Sequence, residues 1–125
     1  MLENLRANIT FATIENKTMN ERIDMLQEYI QDAPSDTFSR YALALEHAKI
    51  GETSKAIEYL KQLRIIDSEY LALYYQLGKL LQQIGLLDEA IEVFKSGIIV
   101  AQKQQNRHTE SELKGALLQL TDDNE

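Results

Sequence analysis

From Leu71 to Gln104 the apolar residues recur at helical spacing along two successive segments. In the first, Tyr74, Leu77, Gly78, Leu81 and Ile84 share one face; in the second, Ala90, Ile91, Phe94, Gly97, Ile98 and Ala101 do. Spacing of i, i+3, i+4 and i+7 predicts two amphipathic helices, each with one core-facing stripe. Gly85 separates them, at the point where a helix ends in a left-handed residue that glycine adopts without steric cost. The same pattern stands 34 residues earlier. Gly51 corresponds to Gly85, Ala56-Ile57-Glu58 to Ala90-Ile91-Glu92, and Lys61 to Lys95; nine of the 34 paired positions of 37–70 and 71–104 are identical. The chain therefore contains a tandem repeat of a helix pair.

Flanking segments extend this pattern. Residues 1–18 carry Ile9, Thr10, Phe11, Thr13 and Ile14, a β-branched and aromatic run that disfavours a strong helix. They are expected to form a poorly structured extension. Thr18 and Glu21 make a capping box for a helix over 19–33 with Ile23, Leu26, Ile30 and Ala33 on one side, ended by Pro34. Ser35 or Asp36 caps a helix over 37–50, and Thr53 or Ser54 opens one over 54–66. Ser68 is expected to cap the first helix of the second repeat, and Asp88 to stand at the start of its second. Thr109 and Glu112 predict a capping box for a last helix over 109–120, with Leu113, Ala116, Leu117 and Leu120 inward. Residues 121–125 read as an acidic, frayed tail. Six helices and no strand pattern predict an all-α domain over 19–120.

Charge and composition narrow the chemistry. The net charge is −7, and the excess sits in the flanks, −4 over 19–36 and −3 over 105–125, while both repeats are neutral. Without a basic stripe the chain lacks the footprint of a nucleic-acid or anionic-membrane binder. With no cysteine, disulfide and thiolate chemistry are excluded, and the cytoplasm is the expected compartment. No apolar run approaches the length of a membrane span, and the N-terminus lacks the pattern of a secretory signal.

A helix–turn–helix period of 34 residues, with an aromatic, a Leu-Gly pair, a turn glycine, an alanine and a second aromatic, resembles the tetratricopeptide repeat. Tyr74, Leu77, Gly78, Gly85, Ala90 and Phe94 carry the resemblance in 71–104. Leu43, Ala44, Gly51, Ala56 and Leu60 carry it in 37–70, where Arg40, His47 and Leu63 depart from the pattern. Pro34 lies in the frame of the proline that closes a repeat, so helix 19–33 resembles the second helix of a preceding repeat. The resemblance implies a stack of antiparallel helix pairs, a right-handed solenoid fragment of about two and a half repeats, with the last helix capping its end.

It also implies a function. In the family the first helices of the repeats line a concave face that binds a segment of a partner protein. The residues expected there are Phe38, Tyr41, Leu45 and Lys49 from one repeat, Tyr75, Gln76, Lys79, Gln82 and Gln83 from the next, and Tyr70 at their border. Tyr41 and Tyr75 have a second reading as packing between helices. The Lys/Asn/Arg carboxylate clamp of some family members is absent from these positions. His47, on the inward stripe, and His108, before the last helix, have no nucleophile or metal-ligand spacing beside them, so neither an enzyme nor a cofactor or metal site is expected. The expected role is a protein-interaction scaffold, monomeric or weakly dimeric. The alternative is a structural module whose helix faces serve homo-oligomerisation.

Overall fold

A computed structural model describes residues 17–122; expectations for residues 1–16 and 123–125 lie outside it. Its elements are six helices: α1 (Met19–Asp32), α2 (Thr37–Lys49), α3 (Thr53–Ile66), α4 (Ala72–Gln83), α5 (Leu87–Lys103) and α6 (Arg107–Asp122). Each packs against its neighbours in the chain, and α4 also touches α6. Side chains link alternate helices as well. Lys61 and Arg64 of α3 reach Glu89 and Glu92 of α5, while Tyr41 of α2 stands beside Gln76 of α4. One layer is thus α1, α3 and α5, and the other α2, α4 and α6.

The turn glycines fold as their sequence positions demand. Gly51 and Gly85 have φ of 82° and 85°. In each turn the two amides after the helix return to its last carbonyls, Gly51 N–H to Ala48 and Glu52 N–H to His47, then Gly85 N–H to Gln82 and Leu86 N–H to Leu81. A third turn of this kind joins α5 to α6, where Gln105 N–H bonds Gln102 and Asn106 N–H bonds Ala101. There the left-handed residue is Gln105, at φ 56°.

The core follows the stripes. Leu73, Leu77, Leu81, Ala90, Phe94 and Ala101 are buried with Leu60 and Leu63 of α3 and Leu113 and Leu120 of α6. Leu26 and Leu43 form a smaller cluster between α1 and α2. Close approach depends on two small residues. A Cβ on Gly78 would lie 2.2 Å from Phe94 Cε1, and one on Gly97 would lie 2.6 Å from Tyr74 Cβ and 3.0 Å from Leu113 Cδ1. Buried Tyr74 donates its hydroxyl to the Ser68 carbonyl at 2.6 Å and carries the Arg64 guanidinium 5.3 Å above its ring. Arg64 in turn grips Glu92 through two bonds of 2.9 Å, so α3, α4 and α5 are tied at one point.

Several local expectations are corrected. Ser68 does not cap α4; it is a turn residue, Leu71 occupies the N-cap without a side-chain bond, and Asp67 Oδ1 accepts from Glu69 N–H instead. Thr109 lies inside α6. The side chain that accepts at its N-terminus is Asn106, from Thr109 N–H at 3.0 Å, because the helix begins at Arg107, two residues after the left-handed Gln105. The helix also runs past residue 120, and Thr121 donates its hydroxyl to the Leu117 and Leu118 carbonyls. Ala33 and Ile84, placed on inward stripes by periodicity, are exposed helix-terminal residues. Thr18 caps α1 as its sequence implies, accepting from Glu21 N–H, and Asp36 rather than Ser35 caps α2.

His47 is buried, with 4% of its surface exposed. Its Nδ1 lies 3.1 Å from Glu52 Oε2, its ring stacks on Tyr59, and Nε2 has no hydrogen-bond partner. Beside it, half-buried Arg22 of α1 makes two bonds, 3.0 and 3.2 Å, to the buried Glu46 carboxylate, which also pairs with Lys49. Both histidines serve local structure, since His108 is an exposed partner of Glu112 on α6.

Candidate functional site

Nine of the ten sequence-predicted residues lie on α2 and α4, and Tyr70 stands in the turn before α4. Phe38 is the most open large apolar group of α2, 41% exposed. Tyr41 is half-buried, its ring centroid 5.4 Å from that of Tyr70, so the two tyrosines form one aromatic step between the repeats. Burial raises the Tyr41 hydroxyl pKa, with the Gln76 side chain beside it acting in the other direction. Burial likewise raises the pKa of Tyr70, reinforced by Tyr41 and by Asp36 and Asp67. Both phenols stay protonated hydrogen-bond donors throughout the neutral range.

Leu45 is half-buried, whereas Lys49 is largely exposed, 3.5 Å from Glu46. On α4, Tyr75 is half-buried with its ring 6.4 Å from Phe94, and Gln76, Lys79 and Gln82 are half-buried along the same helix. Lys79 has no ion-pair partner among the described residues, and Gln82 Oε1 is a buried acceptor without a donor. Gln83 is exposed at the helix end. The ten positions thus hold two lysines and no carboxylate, in a chain of net charge −7. Tyrosine rings with polar tips, an amide row and the Lys79 ammonium suit polypeptide recognition. Among the described residues no cluster of His, Asp and Glu is placed to hold a metal ion.

Sequence reasoning left α6 out of this face, treating it only as an end piece. Its buried residues Leu113, Ala116 and Leu120 repeat the spacing of Tyr74, Leu77 and Leu81 on α4. With the phase of α6 so fixed, Lys114 stands as Tyr75 does, and Leu118 as Lys79 does. Leu118 is 57% exposed, and Lys114 pairs with Glu110 at 2.8 Å. The signal was present in the sequence as that triple spacing, displaced from the 34-residue frame by the longer α5.

A stack of antiparallel helix pairs in which small residues set the approach and the first helices share one face defines a helical-repeat protein. The tetratricopeptide repeat family model matches residues 47–109, half of the chain, and the chain belongs to that family. The crystal structure of a tetratricopeptide repeat domain protein from Salinibacter ruber is 38% identical, with a TM-score of 0.66 over 69% of this chain and 96% of that one. Anaphase-promoting complex subunit 3 of Dictyostelium discoideum is 28% identical over 88 residues; these are 70% of this chain but only 9% of that protein's length. The structure of PcrH in complex with the chaperone-binding region of PopD superposes with a TM-score of 0.86, covering 99% of this chain and 93% of that one at 18% identity, a likeness of fold. No helix among the described residues is long and apolar enough to cross a membrane.

Proposed function

We propose that this chain is a non-catalytic interaction scaffold that binds a segment of a partner protein on the concave face of α2, α4 and α6. The observation that carries the reading is the set of side chains on that face. Tyr41, Tyr70 and Tyr75 are half-buried rather than sealed in the core, and Lys79, one turn along α4 from Tyr75, has no ion-pair partner among the described residues. Such groups offer contact area and hydrogen bonds at low entropic cost, which is how a groove gains affinity for a chain laid along it. PcrH, of similar fold, is seen with the chaperone-binding region of PopD, which favours the same use here.

The test is a Tyr41→Ala, Tyr75→Ala double variant compared with Lys95→Glu on the opposite layer. Retention of the protein captured by wild-type chain is expected to be lost in the double variant and kept in Lys95→Glu, with helical circular dichroism unchanged in both. Loss of the fold in the double variant, or equal capture by all three, would assign the tyrosines to packing. A second reading has its own observation. Ile65 and Ile99, equivalent residues of α3 and α5, are 85% and 58% exposed, an apolar pair fit for self-association. Light scattering after size exclusion separates the readings. A monomer or weak dimer accords with the scaffold, and a tight dimer dissolved by Ile65→Lys and Ile99→Lys supports the oligomerisation module.

A further inference from the structure

On the layer opposite the groove, α3 and α5 leave a cleft between them of about 350 Å³. Leu77 and Leu81 of α4 and Val93 of α5 line it, and all three belong to the core. Two ion pairs among its lining residues cross from α3 to α5, Lys61–Glu89 at 3.4 Å and Arg64–Glu92 at 2.9 Å. Ile65 lines it as well and is 85% exposed, the most open large apolar side chain among the described residues. The preceding repeat shows the same place filled. Thirty-four residues before Val93, Leu81 and Ile65 stand Tyr59, His47 and Gln31. There the Tyr59 ring stacks on the His47 ring, centroids 5.4 Å apart and planes at 11°. Tyr59 also packs against both the main core and the Leu26–Leu43 cluster, and Gln31 outside it is polar and exposed. In the second repeat valine and leucine replace the two rings, and the outer residue is an uncovered isoleucine. A core-lined space left empty forfeits contacts on every wall, and an apolar rim beside it adds to that cost.

We infer that this cleft is a second docking site, taking an aromatic side chain of a partner segment into the place that Tyr59 fills from within the chain one repeat earlier. The partner's ring lies over Leu81 and Val93, as Tyr59 lies over His47, and its neighbours along the segment cover Ile65. Charge permits the contact. The charged residues of the cleft are two cations and two anions already paired with each other, while the chain's negative excess lies over 19–36 and 105–125. A segment of either sign meets no repulsion there, so shape and apolar area decide what binds. A second copy fits poorly. Apart from Phe38, the large exposed apolar groups of this chain are aliphatic, and Phe38 stands on the other layer. Seating it in a neighbour's cleft is a head-to-tail contact, which builds rings or open chains rather than a two-fold dimer. The site is separate from the groove and does not depend on it.

Methyl NMR of the full chain with p-cresol, the side-chain analogue of tyrosine, tests the cleft directly. The Leu81, Val93 and Ile65 signals are expected to shift while those of Leu26 and Leu43 stay in place. Val93→Tyr supplies the missing ring from within; it is expected to melt no lower than wild type and to abolish the shifts at Leu81 and Ile65. Ile65→Gln gives the rim the residue found at position 31 and, being at an exposed site, leaves the fold intact. Peptides selected on the full chain from a random display library are expected to include an aromatic-bearing class. That class is kept by the Tyr41→Ala, Tyr75→Ala variant, weakened about tenfold by Ile65→Gln and lost in Val93→Tyr. No shift with p-cresol, or aromatic peptides indifferent to both Ile65→Gln and Val93→Tyr, overturns the site and leaves the groove standing. Assemblies seen by light scattering that Val93→Tyr dissolves would seat a second copy in the cleft and overturn the partner assignment. A library yielding only peptides of the cleft class supports the site and counts against the groove.

Discussion

One substitution made at two glycines should change stability in opposite directions. Gly78 and Gly115 are both interior helix residues, and replacing either by alanine removes the same backbone freedom from the unfolded chain. On that account each variant gains about 0.5–1 kcal/mol. At Gly115 nothing opposes the gain, since the new methyl meets no atom within 4 Å. At Gly78 the methyl would fall 2.2, 2.6 and 2.6 Å from three ring carbons of Phe94, which is fully buried. The ring cannot leave without opening α4 from α5, and overpacking of this kind costs about 1–3 kcal/mol. An overlap this deep belongs at the upper end, so Gly78→Ala should lose about 2 kcal/mol net. At about 4 °C per kcal/mol for a domain of this size, Tm rises by about 2–4 °C in Gly115→Ala and falls by about 8 °C in Gly78→Ala. Calorimetry or urea titration reads both. Phe94→Leu should partly rescue Gly78→Ala, a coupling visible in a double-mutant cycle. Were Gly78→Ala to melt at or above wild type, the close approach of α4 and α5 would not be what holds the repeat together.

Two further predictions concern charge. Arg22→Ala strips the buried Glu46 of its two-bond partner and should cost about 2–4 kcal/mol, with amide exchange accelerating in α1 and hardly changing in α5; uniform acceleration would contradict it. Glu92 is held down to about 2 from an ordinary 4.5, chiefly by the Arg64 guanidinium and then by the Ser96 hydroxyl. A depressed carboxylate stabilises the fold fully above its unfolded value and loses that contribution as pH falls through about 2. Because the Glu92 side chain is more than half exposed, the contribution is at most about 1 kcal/mol. Glu92→Gln should therefore lower stability at neutral pH and flatten the acid limb of urea midpoints below pH 4.5; a limb as steep as wild type would remove Glu92 from the account.

The repeat itself was legible because its determinants are local. Gly51 and Gly85 announce left-handed turns, Thr18 and Asp36 announce caps, and Leu77, Ala90 and Phe94 recur at spacings only a packed helix pair explains. Ser68 and Thr109 misled for one reason: capping preference is a property of a residue type, while the register of a turn is fixed by the residues packed beneath it. The Ser68 carbonyl is engaged by Tyr74 from below, and α4 begins only at Ala72. Gln105 was invisible because glycine is the marker for such a turn, and no rule flags glutamine there. His47 could be placed on the inward stripe, but not its half-used ring, since that depends on Glu52 and Tyr59 across the turn. The phase of α6 was missed for a related reason. A 34-residue frame carried past the longer α5 puts exposed residues where the buried stripe should be, and only Leu113, Ala116 and Leu120 reset it.

The turn at Gln105 has a mechanical consequence. Three seams of identical hydrogen bonding join consecutive helices, but only this one forces a residue bearing a side chain into a backbone basin that disfavours it by about 1–2 kcal/mol. The backbone cost therefore falls where the last helix joins the stack. A single change to glycine there would remove that cost and hold α6 more firmly against the rest of the stack.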